Sequence, residues 1–166
     1  MKQIKRILLL TALMLASTIG IHAQATDTSM KCKVLLHADD KFEFFVNGNS
    51  VWSGSDYQKI LQKEISLRKG DVIVVRVTDL QGGKGGLFAI VIKYSNKVLL
   101  RTRDFRYSVD PPDDFLTSSN LKGTRVSDLG RLALSFGLGR SEQPKKAWTH
   151  RSDRMHGVVA FKCIVP

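Results

Sequence analysis

The sequence predicts an all-β sandwich of antiparallel strands with one long irregular segment. From Lys31 to Arg101 apolar residues recur with a period of two, turn signals break the pattern into about six short strands, and no segment sustains a helical apolar stripe. An apolar fraction of 43% with only 4 Pro in 166 residues suits one packed domain and excludes a disordered or collagen-like chain. The two cysteines are too few for a disulfide-dense miniprotein.

Taken in order, Cys32 to Ala38 reads as a buried strand, and Asp39-Asp40 begins the turn that ends it. Phe42, Phe44 and Val46 alternate with Glu43 and Phe45. Asn47-Gly48 then supplies the positive φ angles of a tight hairpin, and Ser50-Val51-Trp52 is the return strand. Asp56 to Gln62 is expected to form one helical turn capped by Ser55 or Asp56, after which Glu64 to Leu67 resumes the strand pattern. Arg68-Lys69-Gly70-Asp71 turns the chain into Val72 to Thr78, where Ile73, Val75 and Val77 share one face and Arg76 and Thr78 the other. Such β-branched runs lose side-chain freedom in a helix and fit a pleated sheet. Leu87 to Tyr94 is the next strand, Ser95-Asn96-Lys97 a turn, and Val98 to Leu100 a return. Between Pro111 and Lys146 periodicity fades, and the expectation is a long loop with a short helix near Leu129 to Leu134. Gly157 to Val165 closes the domain as a final strand.

The first 25 residues carry the marks of an export signal. Lys2, Lys5 and Arg6 precede the apolar run Ile7 to Ala16, and Ala23-Gln24-Ala25 offers a small-residue cleavage site. The run is short for a membrane span, which needs about 20 apolar residues. The expectation is a secreted or periplasmic chain, with residues 26–166 as one β-sandwich domain and no transmembrane segment in the mature form. Removing those three cations from the 26 Lys and Arg leaves 23 against 15 Asp and Glu, a net charge of +8. Outside the cell such a charge selects anionic surfaces or polysaccharides as partners in place of nucleic acid, with a solvated basic surface as the plain alternative.

Several motifs resemble the galactose-binding-like jelly-roll domains that accompany bacterial rhamnosidases and other glycoside hydrolases. Ala38 to Gly48 resembles that family's "ADDxFEhyVNG" hairpin, Lys69 to Thr78 its "kGxNvIaVrv" strand, and Gly85 to Ala89 its "GGLla" segment. Arg103 to Ser108 resembles "tDxsWrvS" with Phe105 in place of Trp, while Ala147-Trp148 and Val159 to Lys162 stand where the family has its closing pieces. The same hairpin is similar to that of PA14 domains, "SDDGxxlyIdG". The resemblance implies a jelly-roll sandwich, sugar binding and no catalysis; fold analogy alone does not establish function.

Catalytic constellations are scarce. His37, His150 and His156 are too dispersed for a metal motif, and the chain contains no G-x-S-x-G, H-E-x-x-H or C-x-x-C. The Gly82 to Gly86 loop lacks the phosphate-cradle pattern and reads as a strand connection. Asp39 and Asp40 have two readings. In lectins of the PA14 type an adjacent Asp pair, joined by a cis peptide, holds a calcium ion that ligates sugar hydroxyls, and Asn47, Asn49 and Asp56 would be further oxygens here. The favoured reading is that both accept backbone N–H groups in a tight turn, so no cofactor is expected. For sugar contact the candidates are Trp52, Asp56 and Tyr57, which set aromatic faces and a carboxylate beside a turn; Trp52 is expected in the core and Tyr57 at the surface. Arg101, Arg103, Arg106, Arg125 and the cations beyond them, interleaved with Phe105 and Tyr107, suggest either a groove for an acidic polymer or a solvated face, the second being favoured.

The expected function is that of an exported, non-catalytic binding module for carbohydrate. The rivals are a structural or adaptor protein binding another envelope protein, and a small glycan-active hydrolase with its site in the 109–146 segment. Export of exactly two cysteines, one in the first strand and one in the last, predicts a Cys32–Cys163 disulfide that joins adjacent termini.

Overall fold

The structure, a computed structural model, describes residues 28–56, 58–80, 88–109, 111–121, 123–126 and 157–166. These form two antiparallel sheets packed face to face. The strands are β1 (Met30–Ala38), β2 (Lys41–Val46), β3 (Asn49–Gly54), β4 (Leu61–Leu67), β5 (Val72–Asp79), β6 (Phe88–Tyr94), β7 (Lys97–Arg101), β8 (Arg106–Val109), β9 (Thr124–Arg125) and β10 (Gly157–Ile164). One sheet has the order β4-β1-β6-β7 and the other β3-β2-β5-β10-β8-β9. The hairpins β2–β3 and β6–β7 stay within a sheet, whereas β1 to β2, β3 to β4, β4 to β5, β5 to β6 and β7 to β8 each carry the chain across to the other sheet. Both hairpin turns use left-handed residues: Asn47 and Gly48 have φ of 50° and 80°, and Ser95 and Asn96 have φ of 48° and 62°.

Period-two patterning places the core. Cys32, Val34 and Leu36 of β1, Phe42 and Phe44 of β2, Ile73, Val75 and Val77 of β5, Ile90 and Ile92 of β6 and Phe161 of β10 turn inward and are buried. Phe88 stacks on Phe161 across the gap between the sheets, with centroids 4.0 Å apart, and Phe105 meets Phe88 edge-on at 6.1 Å.

The six-stranded sheet buries its outer face as well. Phe45, Val72, Val74 and Ala160 form a second cluster with Phe115, which stands on a 3-10 turn over Asp113–Leu116. Lys162 lies beneath that turn, 1% exposed; its ammonium is 4.1 Å from the Phe115 ring centroid and donates to the Ser118 carbonyl at 2.9 Å. Burial holds its pKa below the ordinary lysine value, an effect that the Asp114 carboxylate partly opposes. Thr117 packs against the β2–β3 turn so closely that a β-carbon on Gly48 would stand 2.7 Å from its methyl group. Part of the segment expected to be one long loop is therefore an ordered strap, and β9 pairs with β8 within it. The helix expected near Leu129 to Leu134 and the export signal over 1–25 lie outside the described residues. Among the described residues no helix is long and apolar enough to cross a membrane, which says nothing of β-barrels.

Two expectations are corrected. Asp56 to Gln62 forms no helical turn: Asp56 accepts from the Gln58 N–H at 3.0 Å, but the chain leaves this Asx turn into β4 at Leu61, opposite Leu36. The Cys32–Cys163 disulfide is absent as well. Both cysteines are buried free thiols that are not within disulfide distance, because β1 and β10 belong to different sheets and are not neighbours. Packed sheets lie about 10 Å apart, whereas a disulfide needs Cα atoms about 4.4 to 6.8 Å apart. Burial raises the pKa of Cys32 and lifts that of Cys163 well above the usual thiol value, with the Asp104 carboxylate adding to the second, so both stay protonated at neutral pH. Iodoacetamide is accordingly expected to spare both cysteines in the native protein and to label both after denaturation, with reduction leaving the intact mass unchanged. A gain of two hydrogens on reduction would restore the disulfide.

Candidate functional site

The registers sort the predicted site residues between two opposite ends of the sandwich. Val46 pairs with Ile73 at the start of β5, so the Asn47 turn lies at one end; Lys41 pairs with Thr78, so the Asp39-Asp40 turn lies at the other. Phe42 pairs with Gly54, Leu36 with Leu61 and Ala38 with Phe88, which brings the end of β3, the 55–60 connection and the entry to β6 to the Asp39-Asp40 end. Asp39, Asp40 and Asp56 thus share a pole; Trp52, opposite Phe44 and two residues short of the end of β3, leans toward it through its contact with Phe42, and Asn47 is separated from them. Tyr57 lies outside the described residues.

Asn47 is committed to the fold. Its Oδ1 accepts from the Val72 N–H at 2.9 Å, its Nδ2 donates to Asp71 Oδ1 at 2.8 Å, and its own N–H donates to the Val72 carbonyl at 2.8 Å. Asp71 Oδ2 accepts in turn from the Arg68 N–H at 2.7 Å, and Val165 exchanges backbone bonds with Gly70 and Asp71 at 2.9 Å each. The β2–β3 turn, the β4–β5 turn and the C-terminal residues are clipped together there, a role that the sequence reading assigned instead to ligand contact. Nothing local in the sequence gives it away, since the partners of Asn47 lie 24 and 25 residues onward.

At the opposite pole Asp40 adopts φ of 64°, and its Oδ2 accepts from the Leu80 N–H at 2.6 Å. The carboxylate thereby ties the β1–β2 turn to the end of β5. No described peptide bond is cis, so the geometry of the lectin calcium pair is not adopted, and no group of three or more His, Cys, Asp or Glu among the described residues is placed to hold a metal. Asp56 pairs with Lys59 at 2.6 Å; the Lys59 hydrogen bond and then the Gln58 N–H hold its pKa below the ordinary carboxylate value. His37, 5% exposed on β1, sets Nδ1 3.3 Å from the Lys59 carbonyl, a contact that requires the proton on Nδ1. This histidine fixes the 55–60 connection against the four-stranded sheet, a role invisible in the sequence because its partner is 22 residues away. Trp52 is half-buried at the edge of the six-stranded sheet, edge-on to Phe42 at 4.8 Å and tilted against Phe44 at 6.4 Å. Its ring packs on the core and part of it faces solvent.

The pole therefore presents the Asp56 carboxylate on a connection braced from the strands, beside the partly exposed indole of Trp52 on β3. No family model, curated protein or solved structure matches the chain.

The role of Asp40 as a turn clamp has a direct consequence. Asp40→Ala removes the acceptor of the Leu80 N–H and puts alanine in the left-handed region, an expected loss of about 2 to 3 kcal/mol in urea unfolding. Asp40→Asn keeps an acceptor and tolerates that φ, with an expected loss under about 1 kcal/mol. Equal midpoints for Asp40→Ala and the parent would show that the carboxylate does not hold the turn.

Proposed function

We propose that the protein is an exported, non-catalytic carbohydrate-binding module of the galactose-binding-like, jelly-roll kind. The observation that carries this reading is the shared pole: the Asp39-Asp40 turn, the end of β3 and the Asp56 connection converge at one end of the sandwich, with Trp52 leaning toward it along β3. Loops held on such a scaffold recognise ligands at small ordering cost. Asp56, ionised through the physiological range, accepts hydrogen bonds from sugar hydroxyls. The exposed part of Trp52 offers an apolar face against which the C–H side of a sugar ring packs. Export is inferred from the basic, apolar and small-residue tripartite pattern of residues 1–25.

A second reading rests on a separate observation. Leu80, 59% exposed at the end of β5, and Val109, 37% exposed at the end of β8, lie toward the same pole and favour docking of another envelope protein there.

A glycan array of the mature protein, run with calcium and with chelator, decides between them. The proposed module binds a defined set of glycans, and both Asp56→Ala and Tyr57→Ala lower that affinity by at least about tenfold, or about 1.4 kcal/mol. Asn47→Ala, at the far end, lowers stability and leaves affinity intact. Absence of any glycan binding, or unchanged affinity in Asp56→Ala, overturns the sugar reading in favour of the protein partner.

A further inference from the structure

The outer face of the four-stranded sheet carries a charge arrangement that the pole does not explain. Cys32, Val34, Ile65, Ile92 and Leu100 point into the core, so Lys31, Lys33, Glu64, Lys93 and Arg101 point outward. Registers turn these into rows. Glu64, Lys33, Lys93 and Val98 form one row across the four strands; Gln62, Leu35, Val91 and Arg101 form the next, and Ser66 and Lys31 lie on the other side of the first. Lys33 thus stands directly opposite Lys93, where cross-strand β-carbons are about 4.5 to 5.5 Å apart and like charges destabilise a sheet. Lys31 lies two residues along the same strand, about 6.5 Å away. Glu64 flanks Lys33, yet among the described residues no ion pair joins Lys31, Lys33 or Lys93 to a carboxylate. The half of this face nearer the pole is different in kind, with Ala89 and Val91 buried among Leu35, Ile60 and Val98.

We propose that this basic face is a second binding surface, for a linear glycan whose sugars carry carboxylate or sulfate groups. It stands whether or not the pole binds sugar. The three ammonium groups of Lys31, Lys33 and Lys93 form an array on the sheet that no ion pair among the described residues neutralises, and a polyanion laid across β1 and β6 supplies the opposing charge. A lipid surface fits less well: the large apolar residues that are well exposed among the described ones are Leu80, Tyr94 and Val109, and none of them belongs to this face, since Tyr94 follows Lys93 and points to the other side of the sheet. Single-stranded nucleic acid is also disfavoured, because these rows contain no aromatic platform for stacking bases.

Heparin is the test probe, titrated calorimetrically into the full mature protein at low and at physiological salt. The proposal expects saturable binding that weakens as salt rises, and a loss of at least about tenfold in Lys31→Gln/Lys33→Gln/Lys93→Gln, equivalent to about 1.4 kcal/mol. A variant of equal charge, Lys41→Gln/Lys69→Gln/Arg125→Gln, should lose less than about threefold, which separates a site from net charge. Circular dichroism confirms that both variants keep the fold. Equal losses in the two variants, no heparin binding at low salt, or binding to phosphatidylserine vesicles without heparin binding would each overturn the proposal. A neutral glycan retained by the pole is unaffected by the triple variant, so failure here and failure of the pole are read separately.

Discussion

The stacking of Phe88 on Phe161 is the contact on which the architecture turns. One ring comes from β6 in the four-stranded sheet and the other from β10 in the six-stranded sheet, so the pair spans the gap directly. Phe105 closes on one side, and Tyr107 tilts against Phe161 at 6.4 Å. Aromatic side chains of this size set the separation of the sheets as well as burying area. The separation in turn keeps Cys32 and Cys163 apart as thiols, and it sends every connection between the sheets to one of two poles.

Those poles have different work. At the Asn47 end, side-chain amide, carboxylate and backbone groups consume one another in a closed network that joins two turns to the residues after β10. At the Asp40 end, one carboxylate clamps a turn, another pairs with a surface lysine, and an indole leaves part of its ring in solvent. The outer faces diverge as well. Phe115 and its strap seal the six-stranded sheet over a buried lysine, while the four-stranded sheet leaves a row of cations uncovered beside a small apolar patch. A solvated pole and a basic face, each backed by tightly buried strands, are the surfaces from which a binding role is drawn.

In β1 the strand was legible because Cys32 to Leu36 writes the pleat as alternation, and in β5, buried on both faces, because its run of β-branched residues suits a sheet. The Asn47-Gly48 turn was legible because few residues adopt its two positive φ angles. Sheet membership was not. Alternation says which way a side chain points but not which strand lies beside it, and the disulfide inference failed on that point. The 56–62 segment misled for a related reason: Asp56 does bond the Gln58 N–H as a cap would, and only the pairing of Leu61 with Leu36, 25 residues back, makes the continuation a strand. Of the site, Trp52 and Asp56 were read together from their nearness in sequence, whereas the approach of the Asp39-Asp40 turn to Asp56 and the roles of Asn47 and His37 depend on partners that only the fold supplies.

The central claim is a rigid sandwich that binds through one pole without rearranging its core. Hydrogen exchange followed by mass spectrometry, with and without a glycan chosen from the array, tests it most directly. Protection gained only in peptides covering 38–41 and 53–60, with β5, β6 and β10 already protected and unchanged, is the predicted result. Protection gained at the Asn47 end, or loss of protection in β5 and β10 on binding, would contradict it.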